Sequence, residues 1–330
     1  MPLRICSIFL CVRSRLLDSF QQGNRVFLVT ELLGETLYEN GCLLGDARLG
    51  IWTPAALSEL ALKLLETLAV MHAHQVTHGD IKPTNLCFRE SGQPRSITFI
   101  DFGSATFPHD SWRCSYYQSR WYRAPEVILG LPWDEKVDVW SLGVTLAELV
   151  LGAVPFRFGT SEMVLAGHTA LCGPIPEWMA VQGPLSTMLL ASPVNRVSYE
   201  IDPPGVPSGA YLLHRAQNAS LHSLLVEAIA HAPAEHAAEY ADHEGLCAFL
   251  GMLLTVDPRQ RPSAAEARQH PWLRRAAARL LCARMRWAAR TLVALQRWRM
   301  RAMERTYAPT GAGFGLARAS FAAHVCVADA

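Results

Sequence analysis

The chain has 330 residues, half of them hydrophobic, and its 30 basic side chains nearly balance its 29 acidic ones. That is enough apolar material for one large domain or two small ones, and it excludes a uniformly basic or uniformly acidic protein. Nine cysteines without a C-x-x-C pair exclude a paired-cysteine zinc module and point to reduced, intracellular thiols. No apolar run approaches the ~20 residues of a membrane-spanning helix. The charge is unevenly placed: residues 274–305 carry ten arginines and one glutamate, so the remainder is net acidic. Lysine occurs only at Lys63, Lys82 and Lys136, so arginine-richness reflects the whole chain and says little about function.

In chain order, residues 1–11 match no pattern. Ile5 to Val12 is apolar between Arg4 and Arg13, but it lacks a small-residue cleavage site and is not read as a secretory leader. Leu16–Phe20 and Val26–Thr30 read as two strands joined at Gly23-Asn24. Pro54 to His74 reads as a helix: Thr53 can cap it, Pro54 suits its first turn, and Leu57, Leu60, Leu64, Leu65 and Leu68 recur at helical spacing. Ser96 to Ile100 reads as a buried strand. Asp138 to Val150 is apolar nearly all round, as a buried helix should be. Residues 192–245 hold the loop Pro203–Pro207 and five histidines without an i, i+4 pair, and read as a solvated insert rather than a metal site. Residues 274–305 read as a basic amphipathic helix with Leu281, Met285, Ala288, Leu292 and Leu295 on one face. Such a helix suits a calmodulin-like partner, an anionic membrane or nucleic acid, although with arginine used throughout the chain packing onto the body of the protein is the plainer reading. Residues 306–330 read as a flexible tail.

The chemistry concentrates in His78-Gly79-Asp80-Ile81-Lys82-Pro83-Thr84-Asn85, followed by Asp101-Phe102-Gly103. Phosphoryl transfer passes through a loose transition state that is stabilised mostly by positioning and neutralised charge. Asp80 can take the proton of an attacking hydroxyl, and Lys82 can place a cation near the transferred phosphate. Asn85 and Asp101 supply a carbonyl and a carboxylate, the hard oxygens that magnesium takes.

That spacing resembles the catalytic and magnesium loops of protein kinases. Ala124-Pro125-Glu126, Asp138-Val139-Trp140-Ser141-Leu142-Gly143, the stretch Leu254 to Pro262 and His270-Pro271-Trp272 extend the resemblance over roughly residues 12–273. Tyr116 to Arg123 is similar to the dual-specificity tyrosine-regulated kinases of the CMGC group, as are Glu31 to Tyr38 at the hinge and Gly173 to Glu177 at the group's insert. The resemblance implies an α+β fold: a mainly helical large lobe over residues 34–273 and a truncated small lobe of about two strands over 12–33.

It also implies roles. ATP and Mg²⁺ are the expected cofactors, and a protein hydroxyl the expected acceptor. Asp80 and Lys82 would be catalytic, and Asn85 and Asp101 would hold the metal. Glu31, Leu33 and Cys87 would meet adenine. Tyr116 matches an autophosphorylated tyrosine with Arg120 and Arg123 as its guanidinium partners. His78, Phe102, Asp138 and the ion pair Glu126–Arg261 match structural positions. Gly79 stands where most kinases carry an arginine that binds a phosphate on the activation segment. The glycine-rich loop, the strand lysine and its glutamate partner have no counterpart. A weakly active, incomplete chain is therefore expected. A pseudokinase scaffold is the alternative, although a scaffold has no physical need for all four catalytic groups.

Overall fold

The computed structural model describes residues 16–39, 52–90, 93–107, 117–186, 220–231 and 239–275, with isolated residues between 277 and 296. Residues 1–11, Tyr116, most of 192–245, nearly all of the basic segment 274–305 and the tail 306–330 lie outside the described residues. The described residues up to Ala278 belong to one compact unit.

Strands β1 (Leu16–Gln22) and β2 (Arg25–Thr30) pair antiparallel about the Gly23 turn, with Phe20 opposite Phe27 and their rings stacked at 4.9 Å. Apolar side chains stand on both faces: Phe20, Phe27 and Val29 on one, Val26 and Leu28 on the other. None of them is buried; Val26 is 69% and Leu28 55% exposed.

Helix α1 (Pro54–Ala73) follows. The Thr53 hydroxyl accepts a hydrogen bond from the Ala56 amide at 3.2 Å, and Pro54 fills a first-turn position where no amide donor is needed. Its leucines at 57, 60, 64, 65 and 68 are buried. Strands β3 (Leu86–Phe88) and β4 (Ile97–Phe99) form a second antiparallel pair, fully buried. The expected strand over 96–100 is one residue shorter at each end, because Pro94–Ser96 tightens into a 3₁₀ turn before it.

Among the described residues the remaining α-helices are α2 (Pro125–Ile128), α3 (Lys136–Leu151), α4 (Ser161–Cys172), α5 (Glu177–Gln182), α6 (Leu221–Ala230), α7 (His243–Leu253) and α8 (Ala264–Ala267). Helix α3 is the centre of the core: Trp140, Leu142, Val144 and Leu146 are fully buried, and α1, α6 and α7 pack around it. Helix α7 comes so close that a Cβ at Gly143 would lie 2.9 Å from the Leu253 Cβ, so only glycine fits there. Helix α6 falls inside the stretch expected to be a solvated insert, yet it buries Leu221, Leu224 and Leu225 against α3 and α7. Its polar cap at Ser220 and that apolar stripe override the polar look of the surrounding sequence.

One ion pair joins distant parts of this body. Arg261 donates to both carboxylate oxygens of Glu126, at 2.6 and 2.9 Å, with both side chains wholly buried. The guanidinium also donates to the carbonyls of Thr255 and Lys136 at 3.0 and 3.1 Å, so its donors are well satisfied away from water.

Candidate active site

The catalytic loop hangs from the first turn of α3. The buried Asp138 carboxylate accepts from the backbone amides of His78 at 2.7 Å and Gly79 at 2.9 Å, and from His72 Nε2 at 3.1 Å. His72 comes from the last turn of α1, so one carboxylate ties two helices and the loop between them. His78 is buried and fixed in one tautomer. Its Nδ1 accepts from the Asp80 amide at 3.2 Å, and its Nε2 donates to the Ile100 carbonyl at 3.1 Å. Burial holds its pKa below the ordinary value despite the Asp138 charge, which keeps the ring neutral.

This scaffold presents Asp80 with both carboxylate oxygens engaged. Oδ2 accepts from Lys82 Nζ at 2.7 Å and from Asn85 Nδ2 at 3.0 Å; Oδ1 accepts from the Ser119 hydroxyl at 2.6 Å. Lys82 Nζ also donates to Ser119 Oγ at 2.9 Å, closing a ring of three side chains, Asp80, Lys82 and Ser119, with Asn85 attached at Asp80. Burial alone would raise the Asp80 pKa. The bonds and charge of Lys82, with the bonds from Ser119 and Asn85, outweigh it and hold the carboxyl ionised below its ordinary range.

Asn85 directs its amide nitrogen at Asp80, donating also to the Asp80 carbonyl at 2.8 Å, which turns its side-chain oxygen the other way. The Ile100 amide donates to the Asn85 carbonyl at 3.0 Å, so Asp101 is delivered beside it. Asp101 adopts a left-handed conformation, φ 60°, and its Oδ1 accepts from the Gly103 amide at 3.2 Å. That leaves Asp101 with an exposed carboxylate. A carboxylate and an amide oxygen are hard donors that fit magnesium, which takes one or two protein ligands and completes its shell with water and phosphate. Among the described residues no group of three histidine, cysteine or acidic side chains gathers as a metal cage. Phe102 packs its ring on His78, centroids 5.0 Å apart, so the Asp101 turn rests on the catalytic loop.

The sequence matches the protein kinase domain family over residues 14–273. The chain belongs to the protein kinase family. It is 28% identical over 282 residues to the dual specificity protein kinase CLK4 of Homo sapiens, covering 81% of this chain and 53% of that one. The dual specificity tyrosine-phosphorylation-regulated kinase 3 of Macaca fascicularis is 29% identical over 276 residues, covering 81% and 45%. The dual specificity protein kinase YAK1 of Saccharomyces cerevisiae is 36% identical over 170 residues, covering 51% and 20%. The chain thus spans about half the length of the first two relatives, or less. A solved kinase-domain crystal structure superposes with a TM-score of 0.63 at 26% identity, covering 81% of this chain and 78% of the other. These relatives are CMGC kinases, and the fold is the protein kinase fold.

The expected hinge, Glu31 to Leu33, follows β2 directly. Arg89 clasps the Glu31 carboxylate with both terminal nitrogens, NH1 at 2.9 Å, and the Gly34 amide donates to the Phe88 carbonyl at 2.7 Å. Glu31 and Leu33 are half-buried, whereas Leu32 points into solvent. Cys87, on β3, is buried and its thiol donates to the Gly34 carbonyl at 3.0 Å; burial, with the Glu39 and Glu35 charges, raises its pKa.

The end of the activation segment is fixed by buried polar side chains. Gln118, at φ 66°, donates to Val137 O at 3.0 Å and Ser141 Oγ at 2.8 Å, and accepts from the Ala124 amide at 2.9 Å. Arg123 is buried and donates to the carbonyls of Tyr117 and Gln118 at 2.8 and 2.9 Å; Arg120 donates to the Gly159 carbonyl at 2.6 Å. Both arginines therefore carry contacts to the described residues, and Tyr116 is outside them. Sequence reasoning assigned no role to Ser119 or His72, which prove to be direct partners of Asp80 and Asp138. Their only signal was residue type, since each partner lies far away along the chain. His222 is exposed and His243 half-buried, and both pair with Glu244, at 2.9 and 3.5 Å.

Proposed function

We propose that the chain transfers the terminal phosphate of MgATP to serine or threonine hydroxyls of proteins. The names of its relatives extend the acceptor class to tyrosine. The observation that carries this reading is the Asp80 carboxylate, ionised and flanked by Lys82, Asn85 and Ser119. Asp80 accepts the hydroxyl proton, and its low basicity suits a loose transition state in which that proton leaves late. Lys82 sets a positive charge beside the reacting oxygen. Asn85 and Asp101 hold magnesium, which neutralises charge on the phosphates when bound. The Glu31–Leu33 backbone and Cys87 frame the adenine. Phosphate on Tyr116 meets Arg120 and Arg123 and orders the activation segment. The basic segment 274–305 is a surface for a calmodulin-like or anionic partner, and the reduced thiols suit an intracellular protein.

A second reading, a large-lobe scaffold that binds proteins without catalysis, is favoured by one observation. Lys63 is the first lysine of residues 1–330 and lies within α1, so this stretch by itself supplies no strand lysine. Loss of one preorganised donor commonly costs about 10²–10³ in rate. Residues 1–330 should therefore transfer phosphate far below ordinary kinase rates, with the residual rate removed by Asp80→Asn. Fusion to a glycine-rich kinase small lobe should raise it. A fused protein that binds MgATP yet transfers nothing, with Asp80 intact, would favour the scaffold.

A further inference from the structure

Tyr117 stands between three segments that the proposed reaction needs in one place. Its ring stacks on Trp133, centroids 4.2 Å apart and planes within 11°. Its hydroxyl lies 3.1 Å from Thr106 Oγ1. Thr106 in turn exchanges two backbone hydrogen bonds with Thr77, each 3.0 Å, immediately before His78. The Tyr117 carbonyl accepts from Arg123 Nε at 2.8 Å.

The remaining face of the ring covers Gly79. That glycine has φ 76°, and a Cβ added to it would overlap the Tyr117 hydroxyl and ring, with Cε2 2.7 Å away. Such an overlap is relieved cheaply only by a side chain free to swing aside. Tyr117 is 7% exposed, stacked on one side and hydrogen-bonded at its tip, so it has nowhere to go. The phenol also stays neutral: burial, with the Asp138 charge, pushes its pKa far above the ordinary value.

We infer that Tyr117 is a positioning residue: its ring takes the volume of a side chain at position 79 and ties the catalytic loop to both ends of the activation segment by shape, without a phosphate. A tyrosine that merely filled core would need a partner for its hydroxyl but no glycine opposite its ring. The importance of this alignment rests on the kinase reading; the coupling itself does not.

The test is a size exchange in the full chain, read by hydrogen exchange at the amides of His78, Gly79 and Thr106, with helix α3 as internal reference. Gly79→Ala should speed those three amides at least tenfold and leave α3 unchanged. Adding Tyr117→Val should restore much of the lost protection, only partly because alanine keeps the left-handed strain. A double variant that exchanges as fast as Gly79→Ala alone, or faster, overturns the inference. Should Gly79→Ala fail to fold, Tyr117→Phe and Tyr117→Val decide. The phenylalanine should affect Thr106 a few-fold and spare Gly79, whereas valine should speed both; equal effects at Gly79 count against coupling by shape. In a form that transfers phosphate, Tyr117→Val should lower kcat with KM for ATP unchanged. A small-lobe fusion of the wild-type sequence that binds MgATP without turnover defeats the kinase reading alone, because the exchange result stands apart from it.

Discussion

The β1–β2 hairpin and the helical body around α3 are built from equally apolar sequence, and they differ in what that sequence can reach. In the hairpin, Phe20, Phe27, Val26 and Leu28 alternate onto two faces, and among the described residues neither face meets another layer. In α3, apolar side chains point all round and every direction holds a partner: α1, α6 or α7. Hydrophobicity stabilises only where a second surface removes it from water. Two strands alone are marginal, since about three, or a covering helix, are usually needed. The body should therefore hold the stability of the chain, with the hairpin attached to it and contributing little.

The largest expected effect belongs to the body. Glu126→Ala leaves the Arg261 guanidinium buried and unpaired, and should cost about 3–5 kcal/mol in chemical denaturation. A loss under 1 kcal/mol would mean that the late helices do not depend on this staple.

Acid should act next. His168 is buried between Trp140 and Phe156, with neither ring nitrogen hydrogen-bonded, and burial followed by the Arg261 charge pushes its pKa from 6.5 down to about 3. A lowered histidine pKa means that the unfolded chain takes up the proton first. Stability is thus complete above about 6.5 and is lost as the pH falls toward 3. At about 1.4 kcal/mol per unit, the loss reaches about 3 kcal/mol near pH 4. His168→Leu should flatten that part of the profile, and an unchanged slope would place the acid sensitivity elsewhere.

A smaller step tests the end of α1. Thr53→Ala removes the cap on Ala56 and should lower the melting midpoint by the equivalent of about 1 kcal/mol. Smallest of all, Phe27→Ser should change global stability by less than about 0.5 kcal/mol while reducing concentration-dependent association in sedimentation. Amides of β1 and β2 should exchange rapidly while those of α3 stay protected. Equal protection in a monomer would erase the contrast between the two regions.

Much of this was legible in the residues. Helix α1 could be read because a cap, a first-turn proline and five leucines agree on one element. The catalytic stretch could be read because Asp80, Lys82 and Asn85 lie within six residues, so their order in sequence is their order in space. Ser119 could not be read as a partner of Asp80, because that bond depends on the path of the intervening segment. The cover of Tyr117 over Gly79 was invisible for the same reason, although the glycine was noticeable as a missing side chain. Helix α6 was obscured by histidines and a proline-rich loop nearby, yet the Ser220 cap and the Leu221, Leu224, Leu225 stripe carried its signal.

The clasp of Arg89 on Glu31 has a mechanical consequence. With Gly34 also bonded to Phe88, the Glu31–Gly34 stretch is anchored to β3 and so to the helical body, while the hairpin has no comparable tether among the described residues. A lever turns where its stiffness drops, so any tilting of the strands should pivot ahead of Glu31 and leave Glu31, Gly34 and Cys87 in register with one another.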